Sequence, residues 1–152
     1  MMKIKNIFFI VLLLLIAQCT PVYELDFISK NIFILDSSAH EFEVETKQKA
    51  GLNVLYINGK FGWVLPPNVD EQMLYMDRDS VIYYEDYSVI YRKGRPVEVI
   101  GEWFNIKKTV WDSEKTHITI EENKEDNDRN LTINLCSDYY DGDIKITQKK
   151  ME

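Results

Sequence analysis

Apolar and polar residues alternate in short runs along most of the chain, and this period of two predicts β-strands. In His40–Thr46, Phe42 and Val44 fall on one face and three glutamates on the other, as in a half-buried antiparallel strand. Comparable runs follow at Leu52–Ile57, Phe61–Val64, Ser80–Tyr84, Tyr87–Arg92, Val97–Ile106, His117–Glu121, Leu131–Leu135 and Asp143–Thr147.

Turn residues separate these runs. Asn58-Gly59 is a strong signal for a two-residue hairpin, and Arg92–Arg95 is typical of an exposed turn. Only Val69–Met76 favours a helix, and only for one or two turns. Many short strands at close intervals therefore predict an all-β sandwich.

The first 19 residues have a different pattern. Lys3 and Lys5 precede an unbroken apolar run, Ile7–Ala17, which ends at Gln18-Cys19. This arrangement is typical of a cleaved secretory signal peptide, and the run is shorter than the ~20 residues that cross a bilayer. We expect a signal peptide at 1–18, then a lipidated cysteine, a tether and a candidate first strand at 19–38, and the sandwich at 39–149.

Cys19 stands where a lipoprotein carries its acylated cysteine, although Gln18 is not a residue that such processing prefers before the cysteine. Cleavage after Cys19, with Ala17 and Cys19 as the small residues, is the alternative. Lipidation predicts an acyl anchor in envelope lipid, with the outer membrane as the expected location. The alternative is a soluble periplasmic or secreted protein.

Charge narrows the range of partners. Removing residues 1–18, which hold two lysines and no acid, leaves 134 residues with 16 basic and 25 acidic side chains. A net charge near −9 repels phosphate backbones, so we expect no nucleic-acid partner. With Cys19 acylated, Cys136 has no disulfide partner. We expect it to be a half-buried strand residue rather than a reactive thiol, because Asp138 and Asp141 are close by.

The last third of the chain combines two alternating strands with a polar turn between them and a closing Ile-x-Ile-Thr-Gln. The segments are Ile100–Ile106, His117–Glu121, Glu122-Asn123, Arg129, Leu131–Leu135, Asp138–Asp141 and Ile144–Gln148. As a set they resemble the BACON-type immunoglobulin-like domain of secreted and surface proteins of Bacteroidetes. The resemblance implies an immunoglobulin-like sandwich in a glycan- or mucin-related setting, without catalytic residues or a cofactor. Residues 58–96 are longer than the corresponding part of that pattern, as an insertion-like hairpin region would be.

Aromatic residues are the candidates for a glycan- or partner-binding surface, since exposed rings stack on sugars. The candidates are Trp63, Tyr83, Tyr84, Tyr87, Tyr91 and Trp111. The alternative is that such rings fill the core or form a cross-strand tyrosine ladder. Trp103 and Phe104 are expected in the core. Tyr83 and Tyr84 are adjacent in a strand, so one of the two must face outward.

Metal and catalytic chemistry have little support. Asp126-x-Asp128-x-Asn130 begins like a calcium loop, but Leu131 replaces the required glycine and Ser137 the bidentate glutamate. The two histidines, His40 and His117, belong to no metal-ligand or hydrolase pattern. We therefore expect no metal, no cofactor and no enzyme activity.

These features together favour a non-catalytic envelope lipoprotein with an immunoglobulin-like domain. Its expected role is surface interaction with a glycan or with another envelope protein. The alternative is a structural spacer or assembly subunit without ligand recognition of its own.

Overall fold

The computed structural model describes residues 27–65 and 78–152, and every regular element in them is a β-strand. The strands are β1 (Ile32–Leu35), β2 (His40–Glu45), β3 (Gly51–Ile57), β4 (Lys60–Trp63), β5 (Ser80–Tyr83), β6 (Tyr87–Arg92), β7 (Arg95–Gly101), β8 (Phe104–Lys107), β9 (Lys115–Ile120), β10 (Arg129–Cys136) and β11 (Asp141–Gln148). The predicted all-β class is confirmed. The helix predicted at Val69–Met76 lies outside the described residues.

The strands form two sheets that pack face to face as an immunoglobulin-like sandwich. One sheet has the order β1-β11-β10-β3-β4 and the other has the order β2-β9-β8-β7-β6-β5. Neighbouring strands are antiparallel except β1, which runs parallel to β11. β1 falls within residues 19–38, where a candidate first strand was expected.

The alternation in the sequence places one face of each sheet in a shared core. Ile118 and Ile120 on β9 and Leu131 and Ile133 on β10 are almost wholly buried. Each such side chain stabilises the fold by roughly 1.5–3 kcal/mol through burial. Trp103 and its neighbour Phe104 also lie in the core, which confirms the prediction made for them.

Two hairpins follow the turn chemistry of the sequence. Asn58 and Gly59 have φ angles of 50° and 83°, and Lys93 and Gly94 have φ angles of 48° and 70°. Left-handed backbone at both central residues is the requirement of a type I′ turn, which matches the twist of the strands that it joins. The predicted hairpins β3–β4 and β6–β7 are therefore present.

The run Val97–Ile106 was predicted as one strand, and this is wrong, because the chain turns between β7 and β8. The Phe104 ring lies so close to Gly101 that a Cβ atom there would be 2.3 Å from it. The carbonyl oxygen of Trp103, within the turn, accepts a hydrogen bond from the Glu121 amide over 2.8 Å. The glycine thus permits a turn that alternation alone does not reveal.

Buried amides connect the chain segments at one end of the sandwich. The Gln148 side-chain nitrogen donates to the carbonyl oxygens of Ser38 (3.0 Å) and Glu121 (2.9 Å). The Asn123 side-chain nitrogen likewise donates to the carbonyl oxygens of Asn127 (2.9 Å) and Lys149 (3.1 Å). These bonds give structural roles to polar residues of the C-terminal pattern.

The described part of residues 58–96 extends both sheets on the same side of the sandwich. β4 is an edge strand of the five-stranded sheet, and the hairpin β5–β6 ends the six-stranded sheet. Both pieces are integral to the sandwich. The two edges meet where Lys60 reaches the β5–β6 turn.

Candidate functional site

Three of the six predicted aromatics come together around β4. Trp63 lies on β4, while Tyr84 and Tyr87 stand on either side of the β5–β6 turn. They line a cleft of about 180 Å³, here called the aromatic cleft, together with Phe61 and Gly62. The cleft therefore joins the edges of both sheets.

Tyr91 does not belong to this surface. Its ring is 1% exposed, and its hydroxyl donates to the carbonyl oxygen of Val64. Tyr91 lies on the inner face of β6 with Val89, and the other sheet covers that face. The assignment of Tyr91 to an exposed binding surface is corrected to a core residue.

Tyr83 and Trp111 lie elsewhere. Tyr83 is 81% exposed and shares the outer face of the six-stranded sheet with Val81, whereas Tyr84 packs toward the core. The two tyrosines thus point to opposite sides, as their adjacency predicted. Trp111 covers Gly51, and the Arg95 guanidinium lies 5.6 Å from the ring centroid.

Three rings form a continuous series on the outer face beside the cleft. Tyr56 and Phe61 meet edge to face with 5.4 Å between ring centroids, and Phe61 and Trp63 with 4.8 Å. All three are about 40% exposed. Tyr56 and Phe61 were not among the predicted site residues. The two-residue turn was the available signal, because it fixes the register in which Tyr56 is opposite Phe61.

Gly62 and Tyr87 make the inner wall of the cleft. A Cβ atom on Gly62 would lie 2.8–3.0 Å from the Tyr87 phenol, so the ring occupies space that a side chain would fill. The Tyr87 hydroxyl donates to the carbonyl oxygen of Trp63 over 2.7 Å. Burial is the main cause that raises the pKa of Tyr87, which keeps the hydroxyl a donor at neutral pH.

A stacked pair completes the aromatic lining. Tyr84 and Tyr87 lie 4.6 Å apart, with 16° between their ring planes. The Tyr84 amide donates to the Tyr87 carbonyl oxygen over 2.8 Å, which closes the turn at Glu85-Asp86. A cross-strand tyrosine ladder was the predicted alternative to a binding surface; this one stacked pair lies across the β5–β6 turn and also lines the cleft.

Charged groups stand at the mouth. The Lys60 ammonium lies 2.7 Å from an Asp86 oxygen and 3.0 Å from a Glu85 oxygen. These hydrogen bonds raise the pKa of Lys60, so it stays protonated. The cleft can therefore offer flat apolar faces inside and both donors and acceptors at its rim.

A different cleft, of about 440 Å³, lies at the Gly51 end of β3 beside Trp111 and Cys136. Burial, followed by Asp141 and Asp138, raises the pKa of the Cys136 thiol, which keeps it in its unreactive form. This cleft and the aromatic cleft have no lining residue in common, so Trp111 and Trp63 do not share a site.

Within residues 27–65 and 78–152, no helix has the length and hydropathy to cross a bilayer. Over the same ranges, no group of three His, Cys, Asp or Glu side chains is placed to ligate a metal ion. The predicted signal peptide and Cys19 lie outside the described residues.

No family model and no curated protein matches this chain. Among solved structures, the chain is similar to the NMR structure of a protein from Bacteroides thetaiotaomicron. The TM-score is 0.53 at 13% sequence identity, over 81% of this chain and 80% of that one. At this identity the likeness concerns the fold alone, and it agrees with the all-β sandwich.

Proposed function

We propose that this chain is an exported, lipid-anchored β-sandwich protein of the cell envelope that binds glycans at its aromatic cleft without catalysing a reaction. The observation that carries the proposal is the contiguous series of exposed rings, Tyr56, Phe61 and Trp63, beside a cleft with a polar rim. Single exposed apolar residues are ordinary, whereas a contiguous aromatic surface indicates an interface.

The chemistry of the cleft suits a sugar. A pyranose has apolar C–H faces, which stack on aromatic rings, and hydroxyl groups around its edge, which need donors and acceptors. Trp63 and Phe61 supply the faces. Lys60, Glu85 and Asp86 supply the hydrogen-bonding rim within one turn of the rings.

The same rim suits binding better than proton transfer. A carboxyl group that acts as a general acid has its pKa raised in an apolar setting. Glu85 and Asp86 instead are exposed to solvent, and both contact the Lys60 ammonium, so neither lies in an apolar setting. This supports the non-catalytic part of the proposal.

Export and anchoring rest on residues 1–19. Phe27 is already part of the core, and it is only eight positions after Cys19. Eight residues span at most about 28 Å, which would hold the sandwich close to the membrane surface. Metabolic labelling with palmitate tests the anchor, because wild type should incorporate label and Cys19→Ala should not. An unlabelled wild type would remove the anchor from the proposal.

A glycan array followed by calorimetry on the mature protein tests the binding function. Trp63→Ala and Phe61→Ala should each weaken binding at least about tenfold, since hot-spot aromatics cost about 2 kcal/mol or more when truncated. Tyr83→Ala removes an exposed ring from a different surface and should leave affinity unchanged. No binding across the array, or equal losses in all three variants, would refute the proposal.

A protein partner is the second candidate, and the outer face of the six-stranded sheet favours it. Val81, Tyr83 and Ile100 are exposed there, on β5 and β7, and β5 is the last strand of that sheet among the described residues. An assembly subunit would use this surface, and a pull-down with wild type but not with Tyr83→Ala would recover one stoichiometric envelope protein.

A further inference from the structure

The aromatic cleft continues into a second, larger cleft. The second cleft, here called the acidic cleft, has a volume of about 490 Å³ and shares Ile57, Lys60, Glu85 and Asp86 with the first. Together the two fall in the size range of small-molecule sites, which is roughly 300–1,000 Å³. They form one groove across the end of the sandwich that holds the β3–β4 and β5–β6 turns. A ligand longer than a single ring would extend along it.

The acidic cleft is built from turns of different strands. Glu102 and Trp103 come from the turn between β7 and β8, and Glu125 comes from the loop between β9 and β10. Arg129 anchors that loop, because its guanidinium lies 5.4 Å from the Trp103 ring centroid and 2.8 Å from a Glu125 oxygen. The acidic groups are therefore carried by packed elements rather than by a free tail.

The charges along this groove are unequal. Four carboxylates line it: Glu85, Asp86, Glu102 and Glu125. Lys60 is the cation that lines it, and it is held between Asp86 and Glu85. The Arg129 side chain is buried beside the Trp103 ring, and its guanidinium donates to Glu125. A ligand in the groove thus meets more carboxylates than cations.

The consequence is a selection among sugars. Hydroxyl groups and amines can donate to carboxylates, whereas a uronate, sialate or sulfate group would be repelled or would have to displace the Lys60 pairs. The aromatic rings therefore provide the binding surface, and the carboxylates discriminate against acidic sugars.

We propose that the groove takes an uncharged or amine-bearing oligosaccharide of more than one sugar unit and discriminates against acidic glycans. This inference rests on the proposed function, since it specifies the ligand class of the same cleft. It adds the acidic cleft to the site, with Glu102 and Glu85 as the residues that determine specificity.

The test compares three oligosaccharides of equal length by calorimetry: a chito-oligosaccharide, its de-N-acetylated amine form and an oligogalacturonate. We expect the first two to bind and the acidic one to bind at least about tenfold more weakly at 50 mM salt. This difference in affinity between the acidic oligosaccharide and the other two should become smaller at 300 mM salt, because exposed charges are then screened. Glu102→Gln and Glu85→Gln should each reduce the ratio of these affinities at least about threefold. Glu41→Gln, which removes a carboxylate from the outer face of β2, should leave it unchanged.

The outcomes separate the two proposals. If the acidic oligosaccharide binds as well as the others, or if Glu102→Gln and Glu85→Gln leave the ratio unchanged, the charge selection is refuted while glycan binding stands. If all three fail to bind, or bind equally well to Trp63→Ala, the proposed function falls and the inference falls with it.

Discussion

The Tyr87 hydroxyl donates a 2.7 Å hydrogen bond to the backbone carbonyl oxygen of Trp63. Tyr87 and Trp63 both line the aromatic cleft, so this bond joins two of its walls. Four residues along β6, Tyr91 donates to the carbonyl oxygen of the next residue, Val64. Two tyrosines from one sheet thus bind consecutive carbonyl groups of the other. The position of Trp63 is therefore set by contacts between the sheets as well as within its own.

Tyr87→Phe tests this connection. The substitution removes one hydrogen bond to the Trp63 carbonyl group, and we expect about 1 kcal/mol less free energy of unfolding. Urea denaturation measures it. Tyr83→Phe removes a hydroxyl from an 81% exposed ring and should cost nothing measurable. Equal costs in the two variants would contradict a role for the Tyr87 bond.

Gly62→Ala should disturb the cleft directly. The new Cβ atom would lie 2.8–3.0 Å from the Tyr87 phenol, so the ring must move, at a cost of roughly 1–3 kcal/mol. Because Tyr87 is the obstacle, the same substitution in a Tyr87→Ala background should cost much less. A double-mutant cycle in urea measures the coupling, and strict additivity would contradict the predicted contact.

The alternating pattern predicted the strands well because one face of each sheet is buried. The two hairpin turns at Asn58-Gly59 and Lys93-Gly94 were also predictable from their residues. The residues of the site were harder to predict. Tyr87 and Tyr91 both face inward on β6, and only the packing of the other sheet determines that Tyr91 is covered while Tyr87 borders a cleft. Likewise, β1 pairs with β11, more than a hundred residues later in the chain, and no local signal specifies that partner.

Lys108 should make stability depend on pH. Its side chain is 2% exposed and donates to the Thr116 hydroxyl, and burial lowers its pKa from about 10.5 to about 8. Between pH 8 and pH 10.5 the unfolded chain therefore binds more protons than the folded chain, so stability rises with pH in that window. The full difference is about 3 kcal/mol.

The measurement is the free energy of unfolding of wild type and Lys108→Met at pH 7 and pH 10. The free energy of unfolding of wild type should rise by roughly 2–3 kcal/mol relative to that of the variant as pH rises, because methionine carries no charge to bury. Lys107→Met, at the exposed neighbouring position, should show no such change. A pH-independent difference for Lys108→Met would contradict the lowered pKa.

Asn123→Ala should be among the most damaging changes outside the apolar core. The wild-type side chain donates to two carbonyl groups and accepts a 3.0 Å hydrogen bond from the Glu125 amide, all at a buried position. We expect a loss of about 2–3 kcal/mol, measured by urea denaturation. Asn127→Ala, four residues further on and exposed, is the control and should cost less than about 0.5 kcal/mol.

The most direct measurement uses the three tryptophans as built-in reporters. In an NMR titration of the mature protein with a chito-oligosaccharide, the indole N–H signal of Trp63 should shift saturably. That of Trp111, which lines the separate cleft beside Gly51, should stay in place. A shift at Trp111 instead of Trp63, or no shift at any indole at saturating sugar, would contradict glycan binding at the aromatic cleft.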